Sequence, residues 1–207
     1  MRNKAVILAN GEFPKGKEAL KILNDDNFLI CCDGAINNLL KTDIRPNLII
    51  GDLDSINDKL KVKFADILIK IADQNTNDLT KAINWCVSNN IDDVIIVGAT
   101  GKREDHTIAN ISLLVKYIDL LNVKIVTDYG VFTPITKTTK FKSERGQQVS
   151  IFSIDNRLQI SSENLKYPLQ NLQLQTWWMG TLNECIDDNF TISFSDNGSV
   201  IVYQTFD

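Results

Sequence analysis

The chain has 207 residues, of which 43% are hydrophobic and 23% are charged. This composition is that of an ordinary globular protein, and the length suffices for one large domain or two small ones. The formal net charge of −4 argues against a nucleic-acid partner, which usually requires a basic surface. Residues 5–9 form an apolar run too short for the hydrophobic region of a signal peptide, and no apolar stretch is long enough to span a membrane.

The four cysteines, at positions 31, 32, 86 and 185, show no spacing typical of metal ligands. Cys31 and Cys32 are adjacent within an apolar run, as expected for buried thiols in a reducing compartment. We therefore predict a cytoplasmic protein that binds neither nucleic acid nor a membrane.

Up to about residue 130, short apolar runs alternate with amphipathic segments, as strands alternate with helices. Most of the runs lack polar alternation, which is expected for strands covered on both faces. They comprise residues 5–9, 28–32, 48–50, 68–71, 94–97 and 123–126. Two helices are marked by apolar residues at helical spacing: Leu79, Ala82, Ile83 and Cys86, and then Ile108, Ile111, Val115 and Ile118. This pattern predicts an α/β domain with a mostly parallel, doubly wound sheet.

From Phe132 onward the helical periodicity fades and short strand-like runs follow one another. These runs are residues 148–152, 158–160, 172–177, 190–194 and 200–203, and Asp196-Asn197-Gly198 is typical of a turn. Several runs alternate apolar and polar residues, which indicates strands with one buried face. We therefore predict an α/β domain over residues 1–130 and an all-β sandwich over 131–207, with the boundary near 129–138.

Asp52 and Asp54 lie at alternate positions where the third predicted strand ends. In an extended backbone these side chains point to the same side, where two like charges repel unless a cation lies between them. Magnesium suits such a pair, because it takes a few carboxylates and completes its octahedron with water and phosphate oxygens. The alternative is a solvated turn in which an aspartate caps the next helix.

Polar clusters follow all of the first five predicted strands. They are Asn10-Gly11, Asp33-Gly34, the pair Asp52 and Asp54, residues 73–78 and residues 98–106. In open α/β sheets, ligands bind beyond the carboxyl ends of the strands. Carboxylates that hold magnesium, together with cations and backbone N–H groups that hold phosphate, would match this composition. The sequence therefore predicts a site for magnesium and polyphosphate at this edge.

Individual residues of these clusters have alternative roles. Asp78 begins a predicted helix and either satisfies the helix dipole or serves as a third metal ligand. Lys81, one turn later, reaches a phosphate or pairs with Asp78. The guanidinium of Arg103 either binds phosphate oxygens through two N–H donors or is solvated in an exposed loop. Asp105 either caps the next helix or faces the site. We interpret His106 as a structural residue at that helix start.

A second phosphate-binding pattern begins at Gly11. Residues 11–17 fit G-x-x-x-x-G-K after a strand, but Glu18 stands where a P-loop has Ser or Thr. Nearby acidic residues also oppose phosphate binding. We therefore expect the loop to contact a nucleotide through Asn10 and Gly11 only, and keep a P-loop kinase that uses Lys17 as an alternative.

An ordered set of motifs resembles thiamine pyrophosphokinase over nearly the whole chain. The motifs are residues 32–35, 46–55, 73–78, 98–106 with Asn110, 146–152, 165–169 and 180–184. The resemblance implies an α/β catalytic domain that binds ATP and magnesium, and a β-sandwich that binds thiamine and dimerises. It also implies a homodimer with active sites between subunits. The reaction would move the pyrophosphoryl group of ATP directly to the hydroxyethyl oxygen of thiamine, giving thiamine diphosphate and AMP.

The resemblance also implies roles for individual residues. Magnesium would be held by Asp52, Asp54 and Asp78, with Asp105 as a further catalytic residue. The ATP and phosphate site would comprise Asp33, Gln74, Lys81, Gly98 and Arg103, in addition to Asn10 and Gly11, which the loop pattern indicates. Thiamine would contact Tyr167, Thr181 and Asn183. Asp78 and Asp105 are both candidates for the group that takes the hydroxyl proton.

The chain departs from the family pattern at four positions. The family often has Asp at 75, Thr at 77, Gly at 102 and Ser at 182, where this chain has Asn75, Asn77, Lys102 and Leu182. These changes leave the metal carboxylates intact but alter polar groups near phosphate and thiamine. Besides the P-loop kinase, a non-catalytic nucleotide or thiamine sensor is an alternative from a different class.

Overall fold

The computed structural model describes residues 3–195 and 198–206. The described chain divides into two compact units: 3–113 with 119–128, and 114–118 with 129–195 and 198–206. The turn predicted at 196–198 includes Asp196 and Asn197, which lie outside the described residues. Within the described ranges, no helix has both the length and the apolar character needed to cross a membrane.

The first unit contains a parallel sheet. Its strands are β1 (Lys4–Leu8), β2 (Phe28–Cys32), β3 (Leu48–Gly51), β4 (Leu68–Lys70), β5 (Asp93–Val97) and β6 (Asn122–Val126). The strand order is β6-β5-β1-β2-β3-β4, and each neighbouring pair is parallel. These strands confirm the six predicted ones. The order reverses at β1, so the switch point of the sheet lies between the carboxyl ends of β1 and β5.

Five helices occur between these strands. They are α1 (Lys17–Asn24), α2 (Ile36–Leu39), α3 (Asp58–Lys63), α4 (Asp78–Ser88) and α5 (Glu104–Tyr117). Asn77 caps α4, because its side-chain oxygen accepts a hydrogen bond from the backbone N–H of Thr80 at 2.9 Å. The predicted apolar face of α4 is buried, as its spacing indicated.

The apolar residues whose spacing marks α5 do not define its buried side. The side chains that are buried are Leu114 and Tyr117, whereas Ile108 is 54% exposed. Apolar residues occur on more than one side of this helix, so helical spacing alone does not identify the side that packs.

The second unit is a β-sandwich, as predicted. Its strands are β7 (Gly130–Ile135), β8 (Thr139–Lys142), β9 (Gln148–Ser153), β10 (Gln159–Glu163), β11 (Leu172–Gln173), β12 (Asn183–Glu184), β13 (Asn189–Phe194) and β14 (Val200–Thr205). They form two antiparallel layers with the orders β12-β9-β14-β7 and β11-β10-β13-β8. Inward side chains of both layers, such as Ile151 and Val202 opposite Ile160 and Ile192, belong to one apolar core.

Three features of this unit differ from the sequence prediction. Strand β7 lies in the segment expected to be the boundary, where it pairs with β14 despite Gly130 and Pro134. Strand β8 was not predicted, because lysines and threonines surround its single buried aromatic residue. The run 172–177 forms a strand only at Leu172–Gln173, and a 3₁₀ turn follows at Trp177–Gly180.

Candidate active site

The loops after β1 and β5 join directly at the switch point. The backbone N–H of Gly11 donates to the carbonyl of Gly98 at 2.7 Å, and that of Glu12 donates to Thr100 at 2.9 Å. A Cβ atom at position 11 would lie 2.5 Å from both the Gly98 and the Thr100 carbonyl oxygens, so only glycine fits. The predicted residues Gly11 and Gly98 therefore shape the edge of the sheet through their backbones.

A cavity of about 490 Å³ opens at this edge of the sheet. Seven predicted site residues line it: Asn10, Gly11, Asp52, Gln74, Asp78, Lys81 and Arg103. Other residues in its wall include Cys32, Thr76, Asn77, Lys102, His106 and Asn110. The predicted polar clusters of four strand ends thus meet in a single cavity within the first unit.

Three carboxylates converge beside this cavity. One oxygen each of Asp33, Asp52 and Asp54 lies within 4.8 Å of the others. Asp33 is only 2% exposed, and its Oδ1 atom has no hydrogen-bond partner among the described residues. Its other oxygen accepts a hydrogen bond from the backbone N–H of Ser55 at 3.3 Å.

The electrostatics of this group fit a bound cation. Burial raises the pKa of the Asp33 carboxyl, and the charges of Asp78 and Asp52 raise it further. By contrast, the backbone N–H of Asp54 and the amide of Gln74 help to lower the pKa of Asp52. A divalent cation would relieve the repulsion and give the buried Oδ1 atom of Asp33 a partner. The residues present therefore fit magnesium.

Asp78 lies next to this carboxylate group but is engaged by Lys81. The Lys81 side chain is 3% exposed, and its ammonium contacts Asp78 Oδ1 at 2.9 Å. Burial opposes the charge of Lys81, but the hydrogen bond to Asp78 and the nearby carboxylates outweigh it and raise the lysine pKa. A Cβ atom at Gly51 would lie 2.7 Å from Asp33 Cβ and 3.1 Å from Asp78 Oδ1, so glycine lets both aspartates approach the strand end. Asp78 as third metal ligand stays a prediction.

Arg103, at the end of the loop before α5, and Asp105, in the first turn of α5, form an exposed pair. Arg103 Nε donates to Asp105 Oδ1 at 3.0 Å. This hydrogen bond and the arginine charge lower the pKa of Asp105 to about 2. Arg103 lines the cavity, whereas Asp105 is not among its lining residues. Asp105 therefore orients the guanidinium, and its catalytic role stays a prediction.

Two residues of α5 line the cavity beyond those predicted for the site. His106, interpreted from the sequence as structural, and Asn110 lie one turn apart and face the cavity. The amide of Asn110 donates to the carbonyl of Ala99 at 2.8 Å, which fixes the loop after β5 to the helix. The signal available in the sequence was the (i, i+4) spacing of these two polar residues.

Two of the departures from the family pattern have local structural roles. Asn77 caps α4, and Asn and Thr are both effective at that position. Asn75 donates through its backbone and its side chain to Asp73 Oδ1, within a turn that also involves Thr76. Neither replacement removes a group that the local backbone needs.

The P-loop pattern does not form a phosphate site. Lys17 is the exposed first residue of α1 and is not among the residues that line the cavity. Gly16 instead packs closely on the backbone of Asp128. The geometry therefore disfavours a kinase centred on Lys17.

The residues predicted for thiamine belong to the second unit. Tyr167 is 62% exposed, and its backbone N–H and carbonyl are both bonded to the buried side chain of Asn183 at 3.1 and 2.6 Å. Thr181 donates through its hydroxyl to the carbonyl of Trp178 at 2.7 Å. Leu182 has a left-handed backbone with φ of 58° and is 75% exposed. Asn183 thus holds the Tyr167 backbone in place while the ring remains exposed.

A parallel α/β unit with carboxylates and cations around a cavity at its switch point is typical of enzymes that transfer phosphoryl groups. The chain belongs to the thiamin pyrophosphokinase family. The family's catalytic domain matches residues 19–127, and its substrate-binding domain matches residues 130–203.

Individual relatives support this assignment. Thiamin pyrophosphokinase 1 of Caenorhabditis elegans is 27% identical over 172 residues, which cover 76% of this chain and 70% of the relative. Thiamine pyrophosphokinase of Bacillus subtilis (strain 168) is 28% identical over 180 residues, which cover 81% and 82% of the two chains. The crystal structure of the thiamin pyrophosphokinase from Geobacillus thermodenitrificans superposes with a TM-score of 0.79 at 26% identity, covering 99% of this chain and 98% of that one.

Proposed function

We propose that this protein transfers the pyrophosphoryl group of ATP to the hydroxyethyl oxygen of thiamine, giving thiamine diphosphate and AMP. The observation that carries the proposal is the carboxylate group beside the cavity, in a chain that matches both domains of the family. Residues 1–130 would bind ATP and magnesium, and residues 131–207 would bind thiamine and form the dimer. Four free, buried cysteines support the proposed cytoplasmic location.

Asp33, Asp52 and Asp54 would hold magnesium, with Asp78 beside them. When bound, the metal would neutralise charge on the transferred phosphates. Lys81, held by Asp78, keeps a buried positive charge at the cavity wall. Arg103, which Asp105 engages through Nε and Nη2, would bind phosphate oxygens through its remaining N–H donors.

The acceptor hydroxyl must lose a proton during the transfer. We favour Asp78 over Asp105 as the group that receives it, because the Asp78 carboxylate lies at the cavity. Phosphoryl transfer depends mostly on positioning and charge neutralisation, so the protein does not need to form a covalent intermediate.

The proposal is tested by incubating the purified protein with ATP, magnesium and thiamine, and quantifying thiamine diphosphate, AMP and ADP. We expect thiamine diphosphate and AMP in equal amounts, and none of either when magnesium is chelated. A non-catalytic sensor would bind ATP or thiamine without forming AMP. ADP with thiamine monophosphate would instead indicate transfer of a single phosphoryl group.

We also propose a homodimer whose active sites combine residues of both subunits. A dimer is expected at micromolar concentration by sedimentation velocity. At thiamine concentrations well below the Michaelis constant, where each variant alone is weakly active, mixing Asp54→Asn with Tyr167→Ala after dissociation and reassociation should restore about a quarter of the wild-type activity. Random pairing makes half of the dimers mixed, and each mixed dimer has one intact site. An active monomer, or no recovery on mixing two folded variants, would contradict the shared site.

A further inference from the structure

Lys102 has a backbone conformation that suits glycine better than lysine. Its φ is 66°, and it follows Gly101 at 71°, in the loop that joins β5 to α5. A left-handed backbone is unfavourable for residues with a Cβ atom, and lysine lacks the short polar side chain that eases it for Asn or Asp. Such conformations persist where the surroundings impose them, and they cluster at functional sites.

The Lys102 side chain is directed to the cavity of the first unit. Its Nζ atom lies 3.2 Å from Asn10 Oδ1 and 3.4 Å from the Asn10 carbonyl oxygen, and the residue lines the cavity wall. Asn10 itself is packed against Gly34, because a Cβ atom at position 34 would lie 2.6 Å from Asn10 Nδ2. The ammonium is therefore held at the cavity by a residue that is fixed from its other side.

Lys102 differs from Lys81 and Arg103, two other basic residues of the cavity, in having no acidic partner among the described residues. Lys81 is paired with Asp78, and Arg103 is paired with Asp105. Within residues 3–195 and 198–206, Lys102 forms no ion pair and contacts only neutral oxygens of Asn10. Lys102 thus brings a positive charge to the cavity wall without an acidic partner among these residues, whereas Lys81 and Arg103 each have one.

We propose that Lys102 binds the polyphosphate of the nucleoside triphosphate beyond its first phosphate, and so determines preference for triphosphate over monophosphate. The inference rests on the proposed function, since it places the nucleotide in this cavity. An ammonium without an acidic partner favours an anion, and the two neutral oxygens of Asn10 orient it without cancelling its charge. The long, flexible side chain allows Lys102 to leave Asn10 when phosphate oxygens are present.

The test is direct titration of ATP and of AMP, each with magnesium and without thiamine, by isothermal calorimetry. Lys102→Gly removes the cation. Because glycine adopts the left-handed backbone without steric cost, the thermal midpoint of this variant should be unchanged or higher. We expect the Kd for ATP to rise about tenfold, which is the size of one charge-assisted contact, and the Kd for AMP to stay the same. The difference in ATP affinity between the wild type and Lys102→Gly should shrink at high salt, which screens the charge of the ammonium.

Three further variants control this comparison. Lys102→Arg should retain most of the ATP affinity, and Lys102→Gln should lose it while keeping a polar side chain, only one atom shorter, on the same backbone. Asn90→Gly changes another left-handed residue, with φ of 57°, at a position outside the cavity, and should leave both titrations unchanged.

Unchanged ATP binding in Lys102→Gly, or an equal loss for AMP, would overturn the inference. The outcome is separable from that of the proposed function. If the wild type forms no thiamine diphosphate but Lys102→Gly still loses ATP binding selectively, the Lys102 inference stands and the proposed activity fails.

Discussion

Asp54→Asn is expected to lower turnover at least about a hundredfold, equivalent to about 2.7 kcal/mol of transition-state stabilisation, while the protein stays folded. Asp54 supplies one of the three carboxylates that converge beside the cavity. An amide of the same shape removes the negative charge that a divalent cation needs. The amide oxygen can still accept the hydrogen bond that Ser55 Oγ donates to Asp54 Oδ1 at 3.0 Å.

The stability of the variant separates a metal site from a structural one. Without metal, removing one of three close carboxylates relieves repulsion, so the thermal midpoint should hold or rise. With magnesium, the stability of the wild type should rise with the logarithm of the magnesium concentration above the dissociation constant, and the variant should gain much less. Thermal unfolding at increasing magnesium concentration therefore measures the metal site independently of turnover.

Asp66→Asn is the matched control for this experiment. Asp66 is an exposed aspartate before β4, at the opposite end of the strands from the cavity. Its replacement changes the net charge by the same amount, so turnover and the magnesium response should remain those of the wild type. A well-folded Asp54→Asn protein with near-normal turnover would refute the assignment of Asp54 to the metal.

Much of the first unit could be predicted from its sequence because local pattern and local structure agree there. The buried strands are apolar runs of β-branched residues, and α4 has one clear apolar face. The order of the strands depends on long-range pairing, which such runs do not specify. For α5, with apolar residues on several sides, the packed face is chosen by tertiary contacts.

The site shows the same division between local and long-range information. The spacing of Asp52 and Asp54 predicts their convergence, because it depends only on the strand. Asp33 joins them from the end of the neighbouring strand β2, and its buried, unpartnered oxygen becomes visible only in three dimensions. Likewise, the left-handed backbone of Lys102 depends on how the loops after β1 and β5 fit together.

Tyr167→Ala is expected to raise the Michaelis constant for thiamine about tenfold or more, which corresponds to the loss of about 1.4 kcal/mol. A tyrosine ring in a β-domain has two common roles, stacking on a flat ligand or packing in the core. The 62% exposure of Tyr167 disfavours the core, and the bonds from Asn183 fix its backbone. Because Pro168 follows, the residue is also restricted to an extended backbone. The ring is therefore exposed on a rigid support.

Charge near the ring favours the neutral pyrimidine of thiamine over its cationic thiazolium. The Lys166 ammonium lies 5.9 Å from the centre of the Tyr167 ring and is paired with Glu184 at 3.0 Å. A second cation on the same ring would be repelled, whereas a flat neutral heterocycle can stack on the opposite face. The contact depends on the ring face, so Tyr167→Phe and Tyr167→Trp should be mild.

The measurement is steady-state kinetics with thiamine and ATP varied separately, accompanied by thermal unfolding of each variant. For Tyr167→Ala, the Michaelis constant for ATP should barely change, and the thermal midpoint should stay close to that of the wild type because the ring buries little surface. Tyr129→Ala, which removes another exposed tyrosine of the second unit, should leave the thiamine constant unchanged. If Tyr167→Ala instead lowers the thermal midpoint with unaltered thiamine kinetics, the ring is a packing residue. The thiamine pocket would then have to be sought around Trp177, Thr181 and Asn183.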